Sequence, residues 1–184
     1  MTLTPTHFPV NVHGVERQLP LFQVAPGVTI AVLNILGDTE LTLAAAKGLA
    51  ARLPADKYDV LVTAEAKSIP LIHALAVETQ KPYVVLRKSY KPYMGDAISA
   101  ETLSITTGAP QTLYLDAKDR ELIKGQRVVL VDDVVSTGST QQAMRAVVEK
   151  AGATIAYEAA IFTEGDPAQW ADIIALGHLP IFTS

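Results

Sequence analysis

Cysteine is absent from the 184 residues, which excludes a disulfide framework and any thiolate metal site. Charge is also scarce, at 18% of residues, and it sums to −4 at pH 7. There is thus no basic surplus to grip nucleic acid without regard to sequence, although a local cluster of cations could still hold a phosphate. No run approaches the roughly 18 apolar residues that a membrane span needs, and the N-terminus lacks a charged-then-apolar leader. The four histidines, His7, His13, His73 and His178, lie without metal-ligand spacing. These absences point to a cytoplasmic chain that works without nucleic acid or membrane.

What is abundant is apolar sequence, 49% of the chain, in a length that suits one domain. Alternation near Val10 to Val15 and Leu19 to Val24 predicts short strands with a turn at Gly14, and Val28 to Leu33 continues after Pro26-Gly27. Asp38 or Thr39 is placed to cap a helix that runs to Leu53, with Leu43, Ala46, Leu49, Ala50 and Leu53 as its apolar face. Strands follow over 58–63 and 83–86, separated by a helix over 69–80 with Pro70 in its first turn. Further strands are expected at 113–115, 128–131 and 154–162, a helix at 141–151 closed by Gly152, and short elements at 173–176 and 179–182. The alternation of strand and helix predicts an α/β fold on a parallel sheet with right-handed crossovers. Residues 87–112 are long, polar and without clear apolar periodicity, the profile of a functional lid.

One stretch carries the chemistry. Val128 to Val131 reads as a strand buried on both faces, and it runs into adjacent carboxylates, Asp132 and Asp133. Beyond Val134 and Val135 come Ser136, Thr137, Gly138, Ser139 and Thr140, a small, hydroxyl-rich loop at a helix start. Acids at the carboxyl end of a parallel strand face the crevice where such sheets bind ligands. Backbone N–H groups at a helix start form an anion site. Together they describe a pocket for a phosphorylated sugar.

This stretch resembles the signature of the type I phosphoribosyltransferases, which bind 5-phosphoribosyl-1-pyrophosphate (PRPP). The resemblance implies a parallel-sheet α/β fold with helices on both faces and a small N-terminal hood, here about residues 1–36 of a single domain spanning 1–184. It also implies that Asp132 and Asp133 hold the ribose hydroxyls, directly or through Mg²⁺, and that residues 136–140 wrap the 5′-phosphate. Glu65, Ala66, Lys67 and Ser68, between a predicted strand and a helix, resemble the pyrophosphate loop of the purine branch, with Ser68 where glycine is expected. Arg87 and Lys88, with Lys91 nearby, resemble a cation pair that reaches the pyrophosphate, often from the second subunit of a homodimer.

Thr106-Thr107-Gly108 departs from the glutamate-tyrosine-glycine of adenine enzymes, which leaves Glu101 as the nearest candidate acid in the lid. Ser104 to Thr107 is more similar to xanthine enzymes. Trp170, Tyr90 and Tyr93 are candidates to stack on a base. The expected activity is purine salvage: transfer of phosphoribose from PRPP to a purine, adenine first and xanthine or guanine next, with Mg²⁺ as cofactor and pyrophosphate released. A PRPP-sensing regulator without turnover is the alternative, and a pyrimidine enzyme on the same fold is a weaker one.

Overall fold

The unbroken apolar runs form the centre of the molecule, described by a computed structural model over residues 6–103 and 110–183. In chain order the strands and helices are β1 (His7–Val12), β2 (Val15–Ala25), β3 (Val28–Ala31), α1 (Thr39–Arg52), β4 (Val60–Ala64), α2 (Ile69–Thr79), β5 (Tyr83–Leu86), β6 (Ile98–Leu103), β7 (Pro110–Leu115), α3 (Arg120–Ile123), β8 (Arg127–Val135), α4 (Ser139–Lys150), β9 (Thr154–Glu164), β10 (Ile174–Leu179) and β11 (Ile181–Thr183). Five strands make a parallel sheet in the order β10-β9-β8-β4-β5.

Both faces of this sheet are covered. Leu61, Val129, Val131 and Ile161 pack with Leu41, Ala45 and Leu49 of α1 and with Leu71, Ile72 and Leu75 of α2. Val60, Val62, Val128 and Leu130 pack on the other side with Ala143, Met144 and Val147 of α4 and with Leu113 and Leu115 of β7. The two-residue period of the strands separates these sets, so a strand needs apolar side chains at every position.

The N-terminal strands form a second sheet, antiparallel, in the order β1-β2-β3-β11. His13 (φ 49°) and Gly14 (φ 92°) turn the first hairpin, with left-handed backbone at both positions as a two-residue connection between twisted strands requires. Arg17 of β2 reaches the α1 cap residue Asp38, with Nε and Nη2 at 2.7 and 2.9 Å from its carboxylate oxygens. Asp38 also accepts from the Leu41 N–H, so one carboxylate caps the helix and ties this sheet to the body. That pairing holds the Asp38 carboxyl below the usual carboxylate range.

Three expectations change. Leu43 is 46% exposed, because at 100° per residue it lies about 200° around the helix from the buried Leu41. The antiparallel N-terminal sheet takes its last strand from the C-terminus, Ile181–Thr183 pairing with β3. The polar stretch after Arg87 contains a strand that periodicity did not expose: β6 pairs with β7 in a hairpin and rests Ile98 and Ala100 against the α4-side core. Residues 104–107 and Gly108 lie outside the described residues.

Candidate active site

The register of the central sheet makes an opening. β4 and β8 pair only as far as Thr63↔Val131, while β8 continues along β9 to Val135↔Thr163. Among the described residues, Asp132, Asp133 and Val134 therefore have no strand beside them on the β4 side. From β4 the chain crosses to β5 on one flank, and from β8 to β9 on the other, so the gap sits at the topological switch point of the sheet. The Thr63 hydroxyl donates to the Val131 carbonyl at 2.6 Å and fixes the floor of the gap.

Above it is a cleft of about 400 Å³ lined by Ala64, Glu65, Ala66, Lys67, Ser68, Lys88, Asp132, Asp133, Val134 and Thr140. The turn after β4, the cation after β5, the acid pair and the start of α4 thus meet in one place. The Glu65–Ala66 peptide is cis. Glu65 itself is engaged: its Oε2 accepts from Arg87 Nε at 2.5 Å and its Oε1 from the Lys88 N–H at 2.6 Å. A carboxylate so placed holds the cation pair in position and is not itself a partner for an anion. The backbone of residues 66–68, with Lys67 and Lys88, is what remains for negative charge.

Asp133 is 9% exposed. Asp132 Oδ1 accepts from the Ser68 hydroxyl and from the Asp133 N–H, both at 2.9 Å, and Oδ2 accepts from Gln141 Nε2 at 3.1 Å. The Asp132 carboxyl is nevertheless pushed up to about 7, first by loss of water around it and then by Asp133 beside it. Two acids that raise one another's cost of ionisation in a polar cleft are a feature of functional sites.

The connection over 136–138 is short and bends at Gly138 (φ 74°), which caps α4, so Ser139 and Thr140 already form the first turn of the helix. The Thr137 and Ser139 hydroxyls are 3.1 Å apart. A Cβ on Gly138 would stand 3.0 Å from the Trp170 ring, so the indole backs the loop. Its Nε1 donates to the Glu164 carbonyl at 2.8 Å.

Other candidates lie elsewhere. Arg87, held by Glu65, lines a neighbouring cleft with Asp116, Lys118 and Asp119. Lys91 precedes the 3-10 turn Pro92–Met94. Glu101 pairs across the hairpin with Thr112 and is exposed, and it is not among the residues lining the acid cleft. Tyr90 packs against Tyr114 and Tyr93 is 71% exposed. His73 packs edge-on to Tyr83, and His178 lies within hydrogen-bond distance of Thr163 Oγ1 and the Gly165 carbonyl. No three His, Asp or Glu side chains cluster as a metal cage among the described residues. Gln141 is a site residue that sequence did not expose, since a glutamine in a first helical turn has no distinguishing pattern.

The sequence profile of the phosphoribosyl transferase domain matches residues 33–173. A hypoxanthine/guanine phosphoribosyltransferase of Methanocella paludicola is 36% identical over 108 residues, covering 59% of this chain and 53% of the relative. One from Methanotorris igneus is 39% identical over 100 residues, 54% of this chain and 51% of the relative. The match thus spans about half the length of these relatives. Among solved structures, the fold is similar to adenine phosphoribosyltransferase from Thermoanaerobacter pseudethanolicus, with a TM-score of 0.65 at 22% identity over 94% of this chain and 95% of the other. It is also similar to the Trypanosoma brucei adenine phosphoribosyltransferase in complex with AMP, pyrophosphate and ribose-5-phosphate, with a TM-score of 0.59 at 22% identity over 78% and 68% of the two chains.

Proposed function

Since the chain belongs to the phosphoribosyl transferase domain family, we propose that it is a purine phosphoribosyltransferase that transfers the phosphoribosyl group of PRPP to a purine and releases pyrophosphate. One observation carries this reading. The acid pair, the 65–68 turn, Lys88 and Thr140 converge on one cleft at the switch point of a parallel sheet. A ligand that fits has hydroxyls for the acids and negative charge at each side of them, and PRPP has that order of groups.

In this reading Asp132 and Asp133 accept from the ribose hydroxyls. The N–H groups at the start of α4, with the hydroxyls of Ser136, Thr137, Ser139 and Thr140, hold the 5′-phosphate. The N–H groups of 66–68, with Lys67 and Lys88, hold pyrophosphate. Arg87 supports Lys88 through Glu65. As the base nitrogen approaches C1 and pyrophosphate leaves, positive charge develops on the sugar ring and negative charge on the leaving group. The fixed acids and cations lie where those charges appear, so the protein works by positioning and electrostatics.

Two adjacent carboxylates in a polar cleft, with substrate oxygens opposite, suit a hard cation bound through one or two acids and a phosphate. Asp132 and Asp133 would hold Mg²⁺, and the ion would neutralise phosphate charge when bound. The reading extends to a cytoplasmic homodimer. Exposed Leu43 of α1 and Val77 of α2, with exposed Leu36 in the segment before α1, support an isologous contact through this side of the molecule. A single-protomer mass in sedimentation would contradict the dimer.

The base is a purine in this reading. Adenine, hypoxanthine, guanine and xanthine should each be incubated with PRPP and Mg²⁺. Formation of a nucleoside monophosphate with matching pyrophosphate is expected for at least one. No product from any of them, with PRPP binding intact, would replace the enzyme by a PRPP-sensing protein.

A further inference from the structure

Ser68 occupies the N-cap of α2, the position where a serine hydroxyl ordinarily accepts from the second or third helical N–H. Here it makes no such cap bond. Pro70, the second residue of the helix, has no N–H to offer, and the hydroxyl turns instead to the acid pair. It donates to Asp132 Oδ1 and accepts from the Asp133 N–H, each at 2.9 Å. Asp133 Oδ1 is farther, at 3.3 Å. Ser68 is 1% exposed, so water does not compete for these bonds.

The Asp133 N–H has a second acceptor, Asp132 Oδ1 at 2.9 Å, and it would stay satisfied without the serine. A residue that leaves its helix uncapped to make bonds the strand can partly dispense with serves the carboxylates more than the fold. Its backbone also belongs to the turn that lines the cleft together with Lys88.

We infer that the Ser68 hydroxyl is a positioning residue that aims Asp132 and joins the two halves of the cleft, so that the sugar and the pyrophosphate of one ligand are received in a fixed relation. Gln141 steadies the other oxygen of the same carboxylate, at 3.1 Å from the side of α4. With both oxygens of Asp132 fixed from two helices, the carboxylate is aligned before a ligand arrives. Removing the hydroxyl leaves the Asp133 N–H and Gln141 as the carboxylate's donors, so its aim loosens while the anion-binding backbone is unaltered. The inference rests on the phosphoribosyl reading.

The test is calorimetric titration of PRPP with Mg²⁺, and separately of pyrophosphate, into the parent, Ser68→Ala and Ser68→Gly. Both variants should bind PRPP about tenfold more weakly, the usual effect of losing a hydrogen bond to a charged group. Pyrophosphate alone should bind within about twofold of the parent, an unresolved difference in free energy. Alanine and glycine should behave alike, because the hydroxyl and not backbone freedom is what they share in lacking. PRPP binding that matches the parent in both variants would overturn the inference. A parallel loss of PRPP and pyrophosphate would also overturn it, by making the serine a prop of the turn alone. A parent that binds pyrophosphate but no PRPP would remove the phosphoribosyl reading itself.

Discussion

Asp132 and Glu65 show how far a carboxylate's role depends on its partners. Glu65 has Arg87 against one oxygen and the Lys88 N–H against the other, so its charge is used inside the protein to present a cation. Among the described residues the donors to Asp132 are neutral, and burial with Asp133 alongside pushes its carboxyl up to about 7. The consequence for stability has a definite sign. The unfolded chain ionises this acid near the ordinary value of 3.8, while the folded protein keeps the proton until about 7. The folded state therefore binds more protons through that window, and stability falls as pH rises across it, then levels off. Asp132→Asn carries no proton to lose. Its melting temperature, compared with the parent's, should be relatively higher at pH 8 than at pH 5, and thermal melts at the two values check it. An equal difference at both would show that Asp132 is not held protonated.

At the level of elements, the strand-loop-helix unit β8–α4 was largely legible. Val128 to Val131 read as a buried strand, and of the small residues after it 136–138 form the connection while Ser139 and Thr140 open α4. The strand is longer than its apolar run because β9 pairs with it past the acids, to Val135, and pairing partners are invisible in a single segment. β6 was not legible because Ile98 and Ala100, which touch the core among its described side chains, make too short an alternation to stand out in a polar stretch. Trp170 was a candidate for stacking on a base, and it turns out to back the loop at Gly138. That contact gives Gly138→Ala two separate costs: left-handed backbone at φ 74° and a Cβ 3.0 Å from the indole. The substitution should destabilise the protein by about 1–3 kcal/mol. Adding Trp170→Leu should recover the steric part and leave the backbone part. Denaturant melts of the single and double variants measure both, and full recovery would mean that the backbone angle carries no cost.

For the whole molecule, the order of strands does what no local motif does. The turn at 65–68 and the acids at 132–133 are far apart in sequence, and they meet because β4 and β8 are neighbours whose chains depart in opposite directions. Each half could be read from its own residues. The distance between them could not, since it is fixed by a pairing that ends at Thr63↔Val131 and leaves room for a ligand. Nor could the closing of the N-terminal sheet by β11, which brings residues 181–183 back to β3. The central claim is that this gap receives PRPP through the two acids. Its most direct test is calorimetric titration of PRPP with Mg²⁺ into the parent and into Asp132→Asn combined with Asp133→Asn, with melting curves to confirm that both are folded. Loss of two charged acceptors should weaken binding by at least ~100-fold while the variant still melts cooperatively. A folded double variant that binds PRPP as the parent does would contradict the account.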